Sequence, residues 1–99
     1  LVRTAERLRE RNEFLQAHDT ALQAVQSDPS SSRANTLVGE IRSDLVASLH
    51  NQALVAWRDR DVDLAIRTWE SLLDAVPDFE PAQVYLERAR RLRARLAQP

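Results

Sequence analysis

The chain has no cysteine, no methionine and no lysine, and its one glycine is Gly39. Without cysteine there is no disulfide, no thiol nucleophile and no Cys-ligated zinc. One glycine and four prolines exclude a turn-rich β fold, which needs many positions of positive φ. A Gly-rich phosphate loop and a Gly-x-Ser-x-Gly nucleophile turn are excluded on the same count. No apolar run approaches the ~20 residues needed to cross a bilayer. Charge of one sign is lacking too: 14 basic groups, all Arg, face 15 acidic groups for a net charge of −1. That balance gives no global nucleic-acid footprint. Ninety-nine residues make one expected domain, long enough to bury roughly 65% of its unfolded surface without a covalent staple. A first residue of Leu1 suggests that a targeting segment, anchor or neighbouring domain precedes this stretch.

The residues that are present favour helix. Ala, Leu, Arg, Glu and Gln fill every long stretch. The runs Ser27-Asp28-Pro29-Ser30-Ser31-Ser32 and Val76-Pro77-Asp78-Phe79-Glu80-Pro81 read as loops, because Pro cannot continue a helix and Ser and Asp compete for backbone groups. Softer breaks fall at Asn12-Glu13 and Arg58-Asp59-Arg60-Asp61, and the Asp61 side chain suits the N-cap of the next helix. The chain is therefore predicted to be all-α, with helices at 2–11, 14–27, 33–58, 62–75 and 80–97. Their apolar faces have i, i+3, i+4, i+7 spacing. They are Phe14, Ala17, Ala21, Leu22 and Val25; Val62, Ala65, Ile66, Trp69, Leu72 and Leu73; and Ala82, Tyr85, Leu86, Ala89, Leu92 and Leu96.

The chain also matches itself at a shift of 48 residues. Ala5, Ala17, Pro29 and Ala34 fall on Ala53, Ala65, Pro77 and Ala82, and Ala21 falls on Trp69. Two small residues let paired helices approach closely, a bulkier one fills the far side, and Pro ends the pair. The two expected units span about 1–48 and 49–97. These residues resemble the tetratricopeptide repeat, a unit of about 34 residues. Ala53, Ala65, Trp69 and Pro77 match its second copy, and Ala5, Ala17, Ala24 and Pro29 its first. Ala34 and Gly39 match the opening helix of a further unit. Leu72 and Ala21 depart from the family pattern, one too large and one too small. The run Leu49-His50, Ala53, Arg58, Ala65-Ile66 and Trp69 is also similar to helical-repeat regions of proteobacterial envelope proteins, which implies a bacterial periplasm or cell envelope.

The period exceeds the family's by 14 residues, placed between Gly39 and Ala53. Fourteen residues turn a helix by nearly four whole turns, so a buried face continues across the insertion. Residues 40–57 contain no Pro or Gly, and Ile41, Leu45, Leu49 and Ala53 keep the stripe. The prediction is one long third helix; a break near Ser48 is the alternative.

Catalytic chemistry finds little support. His18 and His50 lie on different predicted helices without metal-ligand spacing, and read as helix-surface or groove residues. Ser30-Ser31-Ser32 reads as a solvated turn with an N-cap. Trp69 stands at the large-residue position and reads as core. Trp57 is either an exposed anchor of the kind that dominates binding hot spots or packs against the fifth helix. Charge is uneven along the chain: residues 1–42 are neutral, 43–87 carry net −6, and 88–99 carry five Arg and no acid. The Arg88, Arg90, Arg91, Arg93 and Arg95 tail is suited to gripping an anion, to complementing the negative end of its own helix, or to meeting the acidic 59–80 stretch of another molecule.

The resulting expectation is a five-helix, right-handed stack of antiparallel pairs with a lengthened central helix. Family resemblance implies a non-catalytic protein-interaction scaffold without cofactor or metal, holding a protein or peptide partner in a groove. The groove positions carry over to Arg33, Thr36, Glu40 and Asp44, then His50, Leu54, Trp57 and Arg58, then Val84, Arg88 and Arg91. The Lys and Asn clamp that some family members use for a C-terminal carboxylate has no match. Two other roles stay open: homo-oligomerisation through the third helix, and anion or small-ligand binding by the Arg-rich tail.

Overall fold

Where good helix formers run uninterrupted, the chain is helical. The computed structural model describes residues 1–99 as five helices and no strand: α1 (Val2–Glu10), α2 (Phe14–Ser27), α3 (Ser32–Arg58), α4 (Val62–Ala75) and α5 (Glu80–Leu96). None is long and apolar enough to cross a membrane.

Each break has a local cause. Asn12 and Arg60 take left-handed φ values of 61° and 64°. After α1, the Asn12 and Glu13 N–H groups donate to the Arg9 and Leu8 carbonyls; after α3, those of Arg60 and Asp61 donate to Trp57 and Ala56. These paired bonds satisfy the last carbonyls of each helix and stop it. After α2 and α4, the Asp28 N–H donates to the Ala24 carbonyl and the Val76 N–H to that of Leu72. Asn35 and Gln83 then donate their side-chain amides to the carbonyls of Pro29 and Pro77, at 3.0 and 2.7 Å. Each of these helix-ending and loop bonds thus has its counterpart 48 residues along. Two side-chain caps do not recur in that register. Asp61 Oδ1 accepts from the Leu64 N–H at 3.2 Å and caps α4, while Ser31 Oγ accepts from the Ala34 N–H at 3.1 Å and caps α3.

α3 has 27 residues, about 40 Å of helix, and runs unbroken through residues 46–50. Gly39 is exposed, and a Cβ there would meet nothing within 4 Å, so no helix approaches closely at this small residue.

The chain divides into two compact units, Leu1–Leu45 and Val46–Pro99. In the first, α1 packs on α2 around fully buried Ala5, Ala17, Ala21, Leu37 and Ile41, with Val2, Leu8 and Val38 against them. Three alanines in that core let the helix backbones come close. Leu22, expected on the buried face, is 39% exposed. In the second unit α4 packs on α5. Arg90–Glu70 and Arg93–Asp63 ion pairs at 3.0 and 3.9 Å show that these two helices run antiparallel. Ala53, Ala65, Ile66, Trp69, Leu72, Ala82 and Ala89 are buried there. Trp69 is fully enclosed, as its position predicted, whereas Leu96 is 68% exposed rather than buried.

Candidate functional site

In the first unit the predicted groove residues meet α1. Arg33 donates to Glu6 at 2.8 Å. Arg9 reaches both Glu40 and Asp44, each at 2.6 Å. Contacts that ascend together along both helices mean that α1 and this half of α3 run in the same direction. Glu40 and Asp44 sit one turn apart, so their like charges repel until Arg9 bridges them. Its hydrogen bond with Asp44 outweighs the cost of burial and holds the Arg9 guanidinium more firmly charged than usual. A groove of about 450 Å³ lies over this clasp, lined by Glu6, Arg9, Glu10, Asn12, Phe14, Arg33 and Asp44. Thr36 is exposed. Nothing in the composition pointed to Arg9 and Glu6; alignment of Arg9 with Trp57 across the 48-residue shift was the available signal.

His18 corrects the sequence reading. It is buried, 6% exposed, rather than on a surface or groove. Desolvation lowers its pKa, Arg42 adds to the effect, and Asp19 opposes it.

The second unit gathers aromatic rings. Trp69 Nε1–H donates to His50 Nδ1 at 3.0 Å, which leaves the neutral imidazole its proton on Nε2. The His50 ring stands edge-on to Phe79 and Tyr85, with centroids 5.2 and 5.8 Å away. Desolvation lowers its pKa also. Trp69 stacks on Tyr85 at 5.3 Å and meets Trp57 edge-on at 6.1 Å. Arg88 lies over the Tyr85 ring, 5.5 Å from its centroid, a cation–π contact. Arg91 pairs with Glu87 on its own helix. His50, Trp57 and Arg88 thus belong to one aromatic neighbourhood, while Arg91 stays on the surface.

Trp57 is half-buried and lines a pocket of about 340 Å³ with Arg60, Val62, Leu92 and Leu96. Arg60, Val62, Leu92 and Leu96 are absent from the sequence-derived groove, because helical periodicity marks an apolar residue without saying whether its stripe is covered. No three His, Asp or Glu side chains converge as metal ligands. The two units present charged side chains, aromatic faces and a small apolar recess. No protein-family model, curated protein or solved structure matches the chain.

Proposed function

We propose that the chain is a non-catalytic protein–protein interaction module of tetratricopeptide type, a scaffold that holds a protein or peptide segment on its groove-lining helices. The observation that carries this reading is the recurrence of one set of helix-ending and loop bonds 48 residues apart. Reuse of a helix-pair unit is how repeat proteins build a continuous core while leaving one helix face of each unit free for partners. The small-residue pairs Ala5/Ala17 and Ala53/Ala65 are fully buried, as close helix pairing requires. α1 and the first half of α3 run side by side in one direction, the relation expected of first helices in successive units. Partner contact falls more on His50, Trp57, Arg88 and Arg91 than on Arg33, Thr36, Glu40 and Asp44. Three of the latter four already have charge partners in α1.

The test is to pan a random peptide display library on the whole chain. Sequence-related binders are expected, weakened roughly fivefold or more by Trp57→Ala or Arg91→Ala, the loss that about 1 kcal/mol produces. Panning that enriches no related sequences, where a control interaction domain does, refutes the reading.

A further inference from the structure

The 48-residue correspondence makes each unit a control for the other. Arg9, Asn12, Phe14 and Asp44 line the groove of the first unit. Trp57, Arg60, Val62 and Leu92, their counterparts 48 residues on, line the pocket of the second. In the first, Arg9 crosses to Asp44 and Glu40, and the polar groups satisfy one another. In the second, an indole and a leucine replace the Arg9–Asp44 pair, and the recess is left without that internal clasp. Its walls are Trp57, Val62, Leu92 and Leu96, with Arg60 as the one charged lining residue.

Arg60 differs from Arg9 and Arg33, the two arginines that line the first groove. Each of those has a carboxylate partner, and the exposed Arg60 guanidinium has none. A guanidinium fork is matched by a carboxylate, which it binds through two parallel hydrogen bonds. The recess, about 340 Å³, lies at the small end of ligand pockets and suits one anchoring side chain more than a whole cofactor.

We propose that this pocket takes an apolar side chain from a segment of a partner protein, flanked by a carboxylate. The apolar side chain sits against Trp57, Leu92 and Leu96, and the carboxylate on Arg60. This rests on the interaction-module reading and names the chemistry of its partner.

Deep sequencing of display-library pools tests it, with the wild-type chain and the Leu96→Asp, Arg60→Gln and Arg9→Gln variants as bait. Leu96 is exposed, so Leu96→Asp leaves the fold intact, and thermal melts check this for each bait. On wild type, peptides with Asp or Glu beside a large apolar residue are expected at least fivefold above the starting library. Arg60→Gln removes the acidic preference, Leu96→Asp collapses the pool at least tenfold, and Arg9→Gln leaves both features in place. Pools that are the same on wild type and Leu96→Asp, or that show no acidic preference, overturn the pocket and leave the interaction reading standing. A concentration-dependent dimer dispersed by Leu96→Asp also overturns it, the occupant then being a second copy. A pool with no enrichment on any bait refutes both.

Discussion

Arg60 and Asn12 hold the same backbone conformation at the same turn, yet they are not equally suited to it. Left-handed φ crowds any Cβ, and Asn tolerates it better than Arg because its short amide bonds locally. Arg60→Gly is therefore expected to stabilise the chain by about 1 kcal/mol, and Asn12→Gly by less. Urea denaturation checks this, with the midpoint rising and the slope unchanged. The two histidines set a second expectation. Burial lowers both below the ordinary value of 6.5, so the unfolded chain binds protons that the folded chain refuses. Their contribution is complete above that value and is lost as pH falls from it through the lowered ones. Protonation also ends the ability of His50 Nδ1 to accept from Trp69. The denaturation midpoint should fall between pH 7 and 5, and a His18→Gln/His50→Gln variant should flatten that limb. A limb equally steep in the variant would place the proton uptake elsewhere.

At the scale of elements, the breaks were legible because each is written in two or three adjacent residues. Pro29, Pro77, Asn12, Arg60 and Asp61 act on the backbone beside them, and the helix ends fall within one residue of the sequence prediction. α3 is continuous for the same reason, having nothing inside residues 40–58 to stop it. Gly39 weakens it without a packing reason. Gly39→Ala is expected to stabilise by about 1 kcal/mol and to slow amide exchange in the flanking turns. A destabilised variant would mean that a neighbour uses the space. Which apolar residues are covered was less legible. Leu22 and Leu96 keep helical spacing yet are exposed, because an amphipathic stripe can be wider than the surface packed on it.

For the molecule as a whole, charge is arranged more than it is accumulated. The basic tail suggested association with the acidic 59–80 stretch of another molecule. Within the second unit, Arg90 and Arg93 meet Glu70 and Asp63 of that same stretch. Two of the five tail arginines thus already use that complementarity inside one chain. Sedimentation mass is accordingly expected to stay the same from low to high salt, since surface pairing between molecules would weaken with screening. A mass that drops as salt rises would show the tail bridging molecules instead.

The sequence alone determined the helices, their ends, the 48-residue register and the enclosure of Trp69. These arise from backbone preferences and spacing, which act over a few residues or repeat along the chain. Only tertiary structure decided that Arg9 clasps Glu40 and Asp44, that His18 is buried, that Trp69 donates to His50, and that Trp57, Leu92 and Leu96 surround an open recess beside Arg60. Those outcomes depend on distances between residues far apart in the chain or on what covers a face, and a one-dimensional pattern carries neither.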